Sequence, residues 1–215
     1  GDRVLLRLEN LDPERSTPAF EDAMQQDLAW LGLDWDEVTR QSDNQSDYED
    51  ALDRLAEASQ LYPCSCSRAE IRASGVRTPD GGYRYDNRCR DRALSPGGWR
   101  ASEEPLRARL PEGTFTAVDL GGEELTQDPT AGFGDPIVRR RDGAIAYQLG
   151  CVVDDATSGV TRIVRGRDIM SNTATQAAIQ ASLGFSTPVY RHHILLLERQ
   201  GEKLAKLHGS VGATA

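Results

Sequence analysis

Val160-Thr161-Arg162-Ile163-Val164-Arg165-Gly166-Arg167-Asp168 opens the stretch that decides the fold. Val160 to Val164 alternates apolar and polar positions and reads as a strand. Ser171 or Asn172 can cap a helix that runs to Leu183 and ends at Gly184. Val189 to Leu197 reads as the next strand. Strand, helix, strand is the building unit of a parallel sheet. Ligands of such sheets sit beyond the carboxyl ends of the strands, where Arg165 and Arg167 would meet a carboxylate or a phosphate. Solvent-facing loop charges are the other reading of the two arginines.

A strand also opens the chain. Val4-Leu5-Leu6-Arg7-Leu8 reads as a buried strand that needs cover on both faces. After a polar turn, Ser16 or Thr17 caps a helix with Pro18 near its first position and Glu21 in its first turn. Phe20, Met24, Leu28 and Leu31 keep helical spacing until Gly32. A second helix, about Gln45 to Ser59, sets Tyr48, Leu52, Leu55 and Ala56 on one face. Arg7 and Glu9 share a strand face. They form either a half-buried ion pair or a carboxylate set out for a substrate ammonium. The fold class is α/β with an interrupted parallel sheet.

The interruption runs from Tyr62 to about Asp135 and holds three of the four cysteines and six of the ten prolines. Leu106 to Leu110 and Phe115 to Val118 read as short strands within it. Cys64-Ser65-Cys66 is followed after 22 residues by Cys89. A Cys-x-Cys turn places two thiolates near enough to share a metal, and a tetrahedral ion needs a fourth ligand. Tyr85, Tyr83, Asp86 and water are candidates, since no histidine lies nearby. Unrelated thiols or a disulfide are the alternatives. Cys151, in an apolar run, reads as a core residue.

Asp142-Gly143 marks a hairpin, and Tyr147 to Asp155 reads as a helix. Asp154-Asp155 either binds Mg²⁺ or ends that helix at the surface. His192-His193 lacks metal-ligand spacing and reads as structural or polar loop residues. Gly201-Glu202-Lys203-Leu204-Ala205-Lys206 could close two ammonium groups over a nucleotide phosphate, or lie solvated. The division is 1–61, 62–135, 136–200 and 201–215. The chain has 215 residues and a net charge of -9, so any nucleic-acid contact must use a local patch such as Arg139-Arg140-Arg141. The charged N-terminus does not resemble a secretory signal, and no apolar run reaches the ~20 residues of a membrane helix. Four cysteines fit a reducing, cytoplasmic compartment.

Taken in order, these islands resemble the glutamyl-tRNA synthetase group of class I aminoacyl-tRNA synthetases. The matching stretches are Leu6 to Arg15, Leu28 to Asp36, Tyr62 to Arg68, Tyr147 to Leu149 with Val152 to Asp155, Val164 to Asp168, and Gly201 to Lys206. Within that group the chain looks most like the short glutamyl-queuosine tRNA(Asp) synthetase branch, which lacks an anticodon-binding domain. The resemblance implies a Rossmann-type catalytic domain with an inserted zinc-binding subdomain. It implies Zn²⁺ on Cys64, Cys66, Tyr85 and Cys89. It implies glutamate held by Glu9, Tyr147 and Arg165, and ATP, arriving with Mg²⁺, contacted by Lys203 and the catalytic Lys206. The partners implied are glutamate, ATP and tRNA(Asp) carrying queuosine, and the expected state is a monomer. The alternatives are a piece of an ordinary glutamyl-tRNA synthetase, or a non-catalytic, zinc-stabilised RNA-binding remnant.

The chain departs from the pattern in several places. The first strand and the HIGH element of the family would precede Gly1, so the chain is expected to be truncated there. By itself it is expected to bind ATP weakly and to activate glutamate poorly; robust glutamate-dependent pyrophosphate exchange would refute that. Asn10 stands where the family has Asp, Ala205 replaces a Ser, and the spacer from Cys66 to Tyr85 is long.

Overall fold

Leu5-Leu6-Arg7-Leu8 forms strand β1, followed by helix α1 (Pro18–Trp30) and strand β2 (Glu37–Arg40). The computed structural model describes residues 2–12 and 16–197. Among these, contacts separate residues 2–12, 16–45 and 195–197 from the unit Ser46–Ile194.

In the first unit β1 and β2 are parallel, in register from Leu5 opposite Glu37 to Leu8 opposite Arg40. Thr17 caps α1 with Pro18 in the first turn, and Gly32 ends it at a φ of +74°. Only glycine takes that left-handed turn without a steric cost. Asn10 clamps the carboxyl end of β1. Its amide donates to Glu21 Oε1 (3.2 Å) and Ser42 Oγ (3.1 Å), and its carbonyl accepts from the Ser42 N–H (2.9 Å). The buried strand expected at Val4–Leu8 is half-buried instead: Leu8 is 1% exposed, whereas Val4 is 51% exposed. A single paired neighbour covers only part of its apolar surface.

The second unit begins with α2 (Gln45–Glu57), whose buried face is Tyr48, Ala51, Leu52 and Leu55. Then follow β3 (Leu61–Pro63), α3 (Arg68–Ala73), β4 (Leu106–Ala108), β5 (Phe115–Val118), β6 (Glu124–Gln127) and α4 (Pro129–Gly132). Last come β7 (Ile137–Arg139), α5 (Tyr147–Thr157), β8 (Arg162–Gly166), α6 (Thr173–Leu183) and β9 (Val189–His193). β4 lies between β3 and β7 in an antiparallel sheet, and β5 pairs with β6 as a hairpin. The turn at Asp142-Gly143 forms, with Gly143 at a φ of +87° and Arg140 N–H bonded to Ala144 O at 2.8 Å.

β8 and β9 are parallel, from Arg162 opposite Val189 to Gly166 opposite His193. β8 starts two residues later than the alternation predicts. Val160 is spent on closing α5: its N–H bonds to Asp155 O at 2.8 Å, past Gly159 at a φ of +64°. β9 ends at His193 because its partner ends at Gly166; Ile194, expected in the strand, is 77% exposed.

Helix α6 is the centre of the unit. Thr173 to Gln180 are all buried, and α5, α4, β5 and β6 pack on it. Asp154 and Asp155 end no helix at the surface. α5 runs on to Thr157, the two are 1% and 6% exposed, and Tyr48 Oη donates to Asp154 at 2.8 Å. Cys151 is a core residue, 2% exposed. No helix among the described residues is long and apolar enough to cross a membrane.

Candidate functional site

Arg165 is the penultimate residue of β8, and three of its N–H groups are fixed by protein acceptors. Nε donates to His192 Nε2 (3.1 Å), one terminal nitrogen to Gln176 Oε1 (2.5 Å) and the other to Thr173 Oγ1 (2.7 Å). Its guanidinium carbon also lies 4.8 Å from the centre of the Tyr190 ring. Each terminal nitrogen carries a second N–H that these three bonds do not use. Arg167, two residues on, takes a different role: it is exposed and paired with Glu123 at 2.6 Å.

The His192 bond fixes a tautomer. An acceptor at Nε2 requires the proton on Nδ1, and Nδ1 lies 2.6 Å from Asp119 Oδ2. Burial lowers the proton affinity of His192 and the Arg165 charge lowers it further, outweighing the opposite pull of Asp119, so a neutral ring donates its Nδ1 proton to the Asp119 carboxylate. Asp119 also accepts from the His192 backbone N–H (3.1 Å) and the Gly121 N–H (2.5 Å). Burial works against its charge, but these bonds hold its carboxyl below the usual carboxylate range. Gly121 is needed for that approach, because a Cβ there would lie 2.7 Å from both Asp119 Oδ1 and an Arg191 nitrogen. The sequence reading missed Asp119, and of its two readings of His192, structural or polar loop residue, the structural one holds. His192 lies in the strand, 7% exposed. The available signal was its alternation with Tyr190 on one face of β9.

Tyr147 begins α5 and is half-buried. Its neighbour Gln148 donates to Asn172 Oδ1 at 3.0 Å, which ties the first turn of α5 to the first turn of α6, where Thr173 and Gln176 hold Arg165. Tyr147 and Arg165 are therefore brought to one end of the unit. Glu9 lies just past β1 in the other unit, where Arg7 donates to its Oε1 at 3.3 Å. Lys203 and Lys206 lie outside the described residues. Of the basic patch, Arg139 donates to Ser102 O (3.0 Å) and Arg140 pairs with Asp142 (2.6 Å).

The cysteines converge. The sulfurs of Cys64, Cys66 and Cys89 lie within 4.8 Å of one another, with Cys66 and Cys89 at 3.6 Å. The thiols are free, and the separation is far beyond the roughly 2.05 Å of a disulfide. The Tyr85 oxygen completes the cluster, accepting from Cys64 Sγ at 3.5 Å and from the Cys89 N–H at 3.0 Å. A tetrahedral ion with metal–sulfur bonds of about 2.3 Å sets neighbouring sulfurs about 3.8 Å apart, so the donor set fits one. Burial foremost, then Cys89 and Cys64, pushes the Cys66 thiol up to about 12. Burial and the Cys64 bond also raise the Tyr85 phenol. An ion is what such groups need in order to ionise. Arg107 stands 3.5 Å over the Tyr85 ring, where a cation favours phenolate. Behind the cluster, buried Asp135 accepts from Tyr62 Oη (2.8 Å), Arg90 (2.7 Å) and the Leu110 N–H (3.0 Å).

Residues 1–214 match the family described as tRNA synthetases class I (E and Q), catalytic domain. The Glutamyl-Q tRNA(Asp) synthetase of Nitratidesulfovibrio vulgaris strain Hildenborough is 41% identical over 226 residues, covering 98% of this chain and 69% of that protein. The protein of the same name from Geobacter sulfurreducens is 42% identical over 220 residues, covering 100% of this chain and 68% of its own length. The Glutamate--tRNA ligase of Aquifex aeolicus is 36% identical, covering 98% of this chain and 46% of that protein. In fold, a glutamate tRNA ligase from Elizabethkingia meningosepticum, solved in complex with its amino acid, superposes with a TM-score of 0.73 at 22% identity. That match covers 95% of this chain and 45% of that one, so the chain spans less than half of the solved ligase. With the profile match over nearly every residue and two relatives above 40% identity, the chain belongs to the class I tRNA synthetase (E and Q) catalytic-domain family, a family of aminoacyl-tRNA ligases.

Proposed function

We propose that the protein activates glutamate with ATP and transfers it to queuosine of tRNA(Asp). The observation that carries this reading is Arg165: a guanidinium at the carboxyl end of a parallel strand, fixed at three N–H groups, with one further N–H on each terminal nitrogen to meet a carboxylate. In the reaction an oxygen of the glutamate α-carboxylate attacks the α-phosphorus of ATP, and pyrophosphate leaves with its electron pair. A hydroxyl of the acceptor nucleoside then attacks the carbonyl carbon, loses its proton, and AMP leaves. Arg165 holds a substrate carboxylate, Tyr147 binds beside it, and Glu9 receives the ammonium. Lys203 and Lys206 attract the phosphates of ATP, which arrives with Mg²⁺. Catalysis of this kind is positioning plus charge stabilisation at phosphorus. Cys64, Cys66, Cys89 and Tyr85 would hold Zn²⁺, whose contribution is to brace the inserted segment. The names of the relatives at 41% and 42% identity support queuosine as the acceptor.

Glutamate-dependent ATP–pyrophosphate exchange tests the reading on the protein as its gene encodes it. Exchange should require glutamate and no tRNA. Arg165→Lys, which loses the fork, should raise the KM for glutamate by roughly 10- to 100-fold. Exchange indifferent to glutamate would overturn the reading. A second reading, charging of tRNA(Glu), draws on the 36% identity to a Glutamate--tRNA ligase. Strict dependence of activation on tRNA would favour it.

A further inference from the structure

We infer that His192 and Asp119 are positioning residues: Asp119 fixes the imidazole with its proton on Nδ1, so that Nε2 accepts the Arg165 Nε–H and aims the guanidinium at the substrate carboxylate. The inference rests on the proposed role of Arg165 and deepens it.

The argument starts from what an arginine at a strand end needs. Its side chain is long, and an unanchored guanidinium samples many rotamers, each costly to freeze on binding. Arg165 is anchored by three residues on two elements: His192 on β9, and Thr173 and Gln176 on α6. The oxygens of Thr173 and Gln176 accept whatever the pH. His192 is different. Its Nε2 accepts only while the ring is neutral and only in one of two tautomers. Asp119, at the end of β5, selects that tautomer at 2.6 Å and is itself held by two backbone N–H groups. The side chains of both residues are fully buried. Two buried polar groups are expensive unless each is satisfied. Here they are satisfied by each other and by Arg165, in a relay that ends on its guanidinium.

The charged groups around the ring are few. From β8 Arg165 opposes protonation; from the β5 end and the turn after it, Asp119 and Glu123 favour it, with Glu123 already paired to Arg167. The elements on α6 that reach Arg165 are uncharged. Tyr190 stacks on the ring with centroids 5.7 Å apart. Protonation would place an N–H at Nε2 facing the Arg165 N–H, two donors head to head. Arg165 would then swing away, and glutamate would bind less well as the pH falls.

The experiment has two arms on the purified full protein. Nitrogen-15 NMR reads the tether without any activity. The Arg165 Nε–H should be shifted and slow to exchange, and His192 should show a bare Nε2 beside a protonated Nδ1. Both signatures should vanish in His192→Leu. Pyrophosphate exchange reads the purpose. His192→Leu should raise the KM for glutamate roughly tenfold, leave the KM for ATP within about twofold, and flatten the rise of the glutamate KM at acid pH. His192→Gln, which returns an acceptor that does not titrate, should restore most of the KM and keep the profile flat. Nδ1 bare and Nε2 protonated in the NMR arm would overturn the inference. So would a His192→Leu enzyme that loses glutamate and ATP affinity alike. If the wild-type protein shows no glutamate-dependent exchange, the proposed function falls, while the NMR arm still decides whether Asp119 and His192 hold Arg165.

Discussion

Asp135 and His192 show how one buried side chain organises its surroundings, and each makes a measurable claim. Asp135 is 1% exposed and accepts from Arg90, Tyr62 and the Leu110 N–H. Asp135→Ala would strand the Arg90 charge and two further donors. The expected loss is about 3–5 kcal/mol of stability, read by urea denaturation. A change under about 1 kcal/mol would show that water replaces the carboxylate. His192 makes a claim about pH. Its folded proton affinity is lowered from the usual 6.5, first by burial, so the unfolded chain binds that proton more readily. Its stabilising contribution is complete above the usual value and drains as the pH falls below it. Asp119, lowered from the usual 3.8, adds stability above that value, lost on further acidification. The urea midpoint of the wild type should fall between about pH 7.5 and about pH 5.5 more than that of His192→Gln. Parallel falls would contradict the assignment.

At the scale of elements, the sequence was most legible where turn chemistry and periodicity agree. The helix ending at Gly184 and the hairpin at Gly143 follow from glycines that take a positive φ, and the α1 start from Pro18. The three-residue strand β3 was missed because alternation over so short a run carries no signal; it exists through pairing with β4, whereas β7, equally short, was marked by the hairpin turn that follows it. β2 was missed for a related reason, since Glu37-Val38-Thr39-Arg40 is held by β1 rather than by its own apolar pattern. The segment from Cys64 to Cys89 has little regular structure: α3 spans only Arg68–Ala73, with Ser67 and Glu70 capping each other. Its order should therefore depend on the cysteine cluster. Chelation is expected to open amide exchange across this segment while α5 and α6 stay protected. Tyr85→Phe should release zinc to a chelator faster than the wild type, and more slowly at higher pH, where the thiolates form more readily. Zinc retention unchanged in Tyr85→Phe would remove the phenol from the ligand set.

At the scale of the whole molecule, the candidate site was only partly legible. Arg165 could be singled out because it follows a strand and precedes a capped helix. Its supports could not: Asp119 lies 73 positions from His192, and no local pattern joins them. Glu9, Tyr147 and Arg165 are far apart in the chain, and their common purpose rests on the substrate each would bind. An acidic total charge of -9 leaves recognition of tRNA to local groups. The measurement that tests the central claim most directly is transfer of labelled glutamate by the gene-encoded protein to tRNA(Asp) with queuosine, tRNA(Asp) without it, and tRNA(Glu). Label should appear only on the queuosine-bearing tRNA(Asp), and Arg165→Lys should lose it at low glutamate and recover it at high glutamate. Label on tRNA(Glu) alone, or transfer indifferent to Arg165, would contradict the account.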